Sequence, residues 1–391
     1  MPAVEPASNE NAHSSIDSGE VSLSGLLSPT RSDLHILGLL RLELLEHLLR
    51  ANFRHTHGEA SVDVHVVGPS NSLALRGTAD VKSAYLLPYD IDTPVDISSG
   101  RLVLTPELAT LQGLRVKVDG AETVAAGTIA VDKWSPLQLG QMNFQLTGEL
   151  SARLIQWQFA RNLAEARGSM AIGNLHLTGT LRRPIVDGVV KAKELFLNLR
   201  RFHELFFSRG TLRFQRLGAA DSGRIYIGRS ASDGSGEPLT GTVDGDGKLV
   251  LNGTVDHSGL GDFMQSSWYR ALDAVRITIK LDNARHSSGG VYNVEMTTPG
   301  LLLAGNRDEM HLTGDVEVVS GRYMQDFDLA DRFLSARRVM EEDKPFWDGD
   351  PFLSGLKLGL NVRTRGTFRV FNNIADLRLA TTRFTVNGPL E

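Results

Sequence analysis

The side chains best suited to chemistry in this chain are its histidines and carboxylates. Six of the eleven histidines precede residue 66. Among them His55-x-His57 with His65 has the residue types of a transition-metal site, because a neutral imidazole nitrogen ligates zinc or copper well. No acid or third ligand stands at a telling spacing, so solvated loop histidines and no metal are expected. Asp244-Gly245-Asp246-Gly247 offers the opening oxygens of a calcium loop, but the later ligand positions hold Leu and Val. An Asp-Gly hairpin turn is the expectation there. Glu341-Glu342-Asp343 and Asp348-x-Asp350 flank Trp347 and supply paired carboxylates of the kind that perform glycosidase acid–base work. Adjacent acids following a helix are ordinarily a solvated turn. The chain has no phosphate-cradling Gly loop, no Gly-x-Ser-x-Gly elbow and no nucleophile set beside a base. It therefore reads as a non-enzyme, with no catalytic residue, no cofactor and no metal. Arg182-Arg183, Arg200-Arg201 and Arg337-Arg338 are expected on the wet face of a sheet, where a headgroup-contacting rim is the alternative.

Charge and composition narrow the partners. A net charge of -5 and a pI near 6.1 supply no basic field to neutralise nucleic-acid phosphates, so no nucleic-acid partner is expected. The absence of cysteine excludes disulfides and thiolate chemistry. Residues 1–33 are rich in Ser, Glu, Asn and Pro, lack the basic start and apolar run of a signal peptide, and read as a disordered tail. No stretch reaches 18 uninterrupted apolar residues, so none is a candidate membrane-spanning helix.

The elements that would position any site divide by period. Over 34–53, Leu37, Leu40, Leu44, Leu45, Leu48 and Leu49 form a helical stripe, which predicts a helical segment over 34–58 capping a sheet. Beyond residue 60 the dominant period is two. Val62, Val64 and Val66 alternate with Asp63 and His65, and Val275, Ile277, Ile279 and Leu281 alternate with Arg276, Thr278 and Lys280. The longest run is Leu356, Leu358, Leu360, Val362, Phe368 and Val370, interleaved with Lys357, Asn361, Arg363, Arg365 and Arg369. Such strands have one apolar and one charged face, as in an antiparallel sheet wet on one side. Gly followed by Thr or an acid recurs within them, and Gly148, Gly179, Gly210 and Gly241 are spaced by 31 residues, which suggests a hairpin-sized repeat. Leu-Thr-Gly also recurs, at 146, 177, 239 and 312. Only three further short helices are expected, over 155–166, 262–274 and 328–340. They cannot cover a dozen amphipathic strands, and each Leu or Val left in water forfeits ~1.5–3 kcal/mol. A second sheet, barrel closure, or an apolar guest in a curved sheet must shelter that face.

The C-terminal stretch points to one of these. Leu312-Thr313-Gly314-Asp315-Val316-Glu317-Val318-Val319-Ser320-Gly321-Arg322-Tyr323, then Pro345-Phe346-Trp347, the strand from Leu356, and Phe368-Arg369-Val370-Phe371-Asn372-Asn373 resemble the C-terminal domain of the TamB family. That family is the inner-membrane-anchored component of the translocation and assembly module, related to AsmA-like and bridge-like lipid transfer proteins. The likeness covers about residues 308–388. Leu177-Thr178-Gly179-Thr180-Leu181-Arg182-Arg183-Pro184-Ile185-Val186-Asp187-Gly188 is similar to the family's repeating element, and 60–307 shares only the pattern.

The resemblance implies an all-β fold, a long curved antiparallel sheet forming an open, U-shaped apolar groove (β-taco). It would be divided into a tail (1–33), a helical cap (34–58), a repeating groove (59–307) and a truncated C-terminal domain portion (308–391). It implies a periplasmic, cell-envelope protein that conducts or holds phospholipid between inner and outer membrane and supports outer-membrane biogenesis. The implied partners are phospholipid acyl chains, an outer-membrane β-barrel assembly protein of the TamA/BamA type, and the inner membrane through an anchor outside this chain. The family's N-terminal membrane helix is missing and the chain stops at Gly388-Pro389-Leu390-Glu391, so an excised piece of a longer protein is expected. The lipid-contacting face would comprise Val62, Val64, Val66, Leu175, Leu177, Val275, Ile277, Ile279, Leu281, Leu356, Leu358, Leu360, Val362, Phe368 and Val370. A chaperone-like scaffold for inserting outer-membrane β-barrels, by strand addition at a sheet edge, and a sealed structural β-sandwich are the alternatives.

Overall fold

The computed structural model describes residues 21–27, 31–45, 53–69, 72–89, 92–134, 137–158, 163–180, 183–199, 204–218, 222–229, 234–244, 246–258, 271–288, 292–324, 355–371, 376–380 and 382–389. Among them the chain is all-β, with twenty-one strands, one 3-10 turn and one short helix. It divides into two compact units. One comprises 1–150 with 176–182, and the other 151–175 with 183–391.

The first unit holds β1 (Val21–Leu27), β2 (Ser32–Arg41), β3 (Phe53–Gly68), β4 (Ala74–Pro88), β5 (Val95–Leu104), β6 (Leu108–Val118), β7 (Ala121–Trp134) and β8 (Leu137–Ser151, whose last residue groups with the second unit). Each pairs antiparallel with the next, from β1 through β8. Because side chains directly opposite in a ladder share a face, the registers place Leu23, Ile36, Val64, Gly77, Leu104, Ala109, Ile129 and Met142 in one row across all eight strands. The helical segment read over 34–58 is a misassignment among the described residues: β2 runs through Leu34, Ile36, Gly38 and Leu40, Leu42–Leu45 form a 3-10 turn, and β3 begins at Phe53. A Leu-rich stretch satisfies both periods, and pairing to β3 along the whole of β2 decides for the strand. The expected tail is likewise structured from Val21, as β1.

Three neighbouring strands carry bulges that line up. Lys82 and Ser83 in β4, Ser98 and Ser99 in β5, and Gln112 and Gly113 in β6 are consecutive exposed pairs, and the register slips at the same places. Each extra residue reverses the parity of its strand, so Leu102 and Leu104 before the slip share a face with Val95 and Ile97 beyond it. Bulges also bend a strand and sharpen its twist. The sheet curls accordingly: β4 and β7, three ladder steps apart and so ~14 Å in a flat sheet, bring Cα atoms within 8 Å of each other. Curling shelters Val64, Leu104, Ala109 and Val131 in one buried cluster, although no helix lies over it among the described residues.

The second unit holds α1 (Ala152–Gln158), β9 (Leu163–Gly179, whose last four residues group with the first unit), β10 (Pro184–Leu199), β11 (Glu204–Arg216), β12 (Gly223–Ile227), β13 (Leu239–Val243), β14 (Gly247–His257), β15 (Leu272–Ser288), β16 (Tyr292–Gly305), β17 (Met310–Tyr323), β18 (Leu356–Thr364), β19 (Phe368–Phe371), β20 (Asp376–Leu379) and β21 (Arg383–Pro389). β12 and β13 lie end to end between β11 and β14. β18 and β19 lie end to end along β17, and both run parallel to it. The sheet is therefore mixed where antiparallel pairing alone was expected. The run read from Leu356 to Val370 is broken at Arg365–Thr367, around Gly366.

Other expectations change as well. The helix read over 155–166 starts earlier, at Ala152, and ends at Gln158; β9 begins at Leu163. The helices read over 262–274 and 328–340 lie outside the described residues, apart from 271–274, where β15 begins at Leu272. No boundary falls at 307/308, because 306–309 is the turn of the β16–β17 hairpin, closed by Asn306 and Glu309. The 31-residue glycine spacing does not mark equal hairpins either. One strand start separates Gly148 from Gly179, whereas all of β12 intervenes between Gly210 and Gly241.

His257 closes one end of the second unit's face at 4% exposure. Burial pushes its pKa below the ordinary 6.5, and the nearby Asp273 and Asp256 only partly oppose this. The folded chain thus holds this imidazole neutral where the unfolded chain would protonate it. Stability is fully present above 6.5 and falls as pH drops toward the depressed folded value. Calorimetry should show the second unit melting lower at pH 5 than at pH 7, and His257→Gln should flatten that dependence.

Candidate functional site: the apolar sheet faces

The second unit assembles most of the residues expected to contact lipid. One row runs Phe214, Ile225, Val255, Val275, Gly305, Met310 and Leu356 from β11 to β18; the next runs Leu212, Ile227, Gly253, Ile277, Leu303, Leu312 and Leu358. A third runs Leu239, Leu251, Ile279, Leu301, Gly314, Leu360 and Val386. The runs from Val275 and from Leu356 are thus parts of one surface, joined through β16 and β17. Phe368 and Val370 extend it, opposite Gly321 and Tyr323. Leu175 is buried in the same unit, with its Cα against Gly188 of β10.

Burial across this surface is graded. Ile225, Val255, Val275, Met310 and Leu356 are all at most 9% exposed, sealed together with Leu272. Ile277, Ile279, Leu281, Leu358, Leu360 and Val362 are only half-buried, and Phe384 on β21 is 50% exposed. At another place Ala152 of α1 packs with Leu195, Phe207, Leu239 and Leu249, so the one described helix covers only part of the face.

The reverse face is charged and self-paired. Arg224 forks onto Asp256 at 2.5 and 2.7 Å, and this bidentate hydrogen bonding raises the pKa of the guanidinium further. Arg363 reaches Glu317 at 2.9 Å, and Lys357 reaches Glu309 at 2.5 Å. The Lys357 hydrogen bond holds the Glu309 carboxyl below its usual value. These pairs lie on the solvated side of the sheet, opposite the apolar rows.

Val62, Val64 and Val66 line the first unit's own apolar face and do not join the rows above within one unit. Leu177 is half-buried and groups with the first unit. Residues missed from the sequence include Leu249, Leu251 and Val255 of β14 and Leu301, Leu303, Met310 and Leu312 of β16 and β17. Alternation was present in β14, but Gly253 interrupts it.

The chemistry-bearing residues resolve differently. His55 and His57 stand eight or more residues along β3 from His65, a separation of ~26 Å or more, so that trio cannot meet. His57 pairs instead with Glu43. Asp244 and Asp246 flank the turn between β13 and β14, with the Glu204 amide donating to Asp244 at 3.1 Å, a hairpin as expected. The carboxylates at 341–350 lie outside the described residues, as do all the paired arginines except Arg183.

No helix among the described residues is long and apolar enough to cross a membrane. No family model matches the chain, and neither the curated proteins nor the solved structures give a match.

Proposed function

We propose that the chain holds phospholipid acyl chains on its apolar sheet faces, as part of an envelope protein that conducts or shelters lipid between two membranes in support of outer-membrane biogenesis. The incompletely buried surface from Ile277 to Val362, packed at its edges against the sealed clusters, carries this reading. Contiguous Leu and Ile left partly wet across β14 to β18 are costly unless a guest dries them, and an acyl chain needs no polar partner there. The resemblance of 308–388 to the TamB family supports the same reading. It also motivates the periplasmic setting, the tie to the inner membrane and the TamA/BamA-type partner.

Lipid extraction and mass spectrometry of the purified chain test it: co-purifying phospholipid is expected, and a lipid-free, monodisperse chain sinks it. The strand-addition reading draws on Leu26 of β1, 58% exposed, and Phe384 of β21. Proline at Ser24 should then abolish barrel insertion while leaving lipid loading unchanged.

A further inference from the structure

The polar face of the first unit brings together three potential ligands that the sequence does not group. His35 of β2 and His65 of β3 are directly opposite in register. Their rings stack at a centroid distance of 3.9 Å with 10° between planes. Asp63, two residues from His65 on the same face, lies 2.8 Å from His35 Nε2 through one carboxylate oxygen. One nitrogen from each histidine and one Asp63 oxygen all lie within 4.8 Å of one another. Among the described residues no other trio of His and carboxylate groups is so close.

We propose that His35, His65 and Asp63 form a binding site for a zinc-like, late first-row divalent cation that clamps β2 to β3. Tetrahedral ligands at ~2.0–2.2 Å from a zinc ion stand ~3.4 Å apart, so small rotations of exposed side chains convert this arrangement into a coordination shell. Backbone pairing already fixes the Cα positions and limits the ordering that binding must impose. Two imidazoles and one carboxylate suit zinc, nickel or copper and are a poor set for calcium or magnesium, which need more oxygens. Asp63 is 58% exposed on its side chain, so water has access to complete the shell. Two neighbours tune the charge: Asp33 lies two residues from His35 on the same face and favours a cation, whereas Arg76 lies opposite His65 and opposes one. The site lies on the opposite face of β3 from Val62 and Val64, so this inference stands independently of the lipid reading.

The test uses the full chain, stripped of metal with a chelator and titrated with Zn²⁺ against a chromophoric competitor. One Zn²⁺ per chain is expected. His35→Ala and His65→Ala should each weaken binding by at least ~10-fold, Asp63→Asn by a comparable factor, and Arg76→Ala should tighten it. The double variant His55→Ala/His57→Ala should bind as the parent does. Binding that survives loss of both His35 and His65, or that disappears with His55 and His57, overturns the site. Should the histidine variants fail to fold, Co²⁺ added to the parent chain decides. Intensified visible absorption of a four- or five-coordinate ion supports the proposal, and the weak spectrum of aqueous Co²⁺ overturns it.

Discussion

Ile277→Asp combined with Leu358→Asp is expected to yield a folded chain that no longer co-purifies with phospholipid. The two positions belong to one row, with Leu303 and Leu312 between them, and both are half-buried. A carboxylate in such a row must keep its hydration, because a desolvated, unpaired charge is far costlier than any contact it replaces. An acyl chain therefore cannot lie across it, and lipid loading should fall at least ~10-fold. The loss of apolar burial costs folding only about 1.5–3 kcal/mol per side chain, because neither residue is in the sealed row of Val275 and Leu356. Lys280→Asp is the matched control. It introduces a carboxylate on the same strand, at an exposed position on the reverse face, and should leave lipid content unchanged. Equal lipid in the double variant and its parent would mean that this face is not where lipid binds. Mass spectrometry of extracted lipid, normalised to protein, reads the result.

The apolar face was legible where alternation is uninterrupted. Val62 to Val66, Val275 to Leu281 and Leu356 to Val362 announce their buried side because each is a clean period-two run with polar residues or glycine between. What the residues do not announce is how separate runs meet. The bulges at Lys82, Ser98 and Gln112 shift parity inside β4, β5 and β6, so strict alternation assigns half of each strand to the wrong side. The parallel pairing of β17 with β18 joins residues 46 positions apart, and no local pattern encodes such a pairing. β2 was hidden for a different reason: its leucines at 34, 37, 39 and 40 fit a helical stripe as well as a strand, and pairing with β1 and β3 decides between them. The same applies to the metal trio. His35 contributes to it from a segment read as helix, so its partnership with His65 exists only once β2 is a strand.

Glycines within the first unit's apolar rows have a role that can be measured. Gly77, at φ +150, sits between Val64 and Leu104, and a Cβ there would collide with the carbonyl oxygen of Asp63 and the Cα of Val64. Gly127, at φ +156, would meet the carbonyl of Asn143 and the Cα of Phe144 in the same way. In both cases the obstruction is backbone, which cannot swing aside as a side chain would. The missing side chain at Gly77 also leaves room for Val64 and Leu104 to share one cluster, as a sheet curling toward its apolar side requires. Gly77→Val should therefore combine backbone strain with overpacking, at about 3–5 kcal/mol, lowering the first unit's melting temperature by ~10 °C or preventing its folding. Gly127→Val should act alike. Gly173→Ala in β9 is the contrast, because a Cβ there meets nothing within 4 Å, and its effect should stay within ~0.5 kcal/mol. Calorimetry of the three variants separates glycines that permit the curl from one that merely occupies a strand. Equal melting of Gly77→Val and the parent would show that close approach of β3 and β4 is not what bends this sheet.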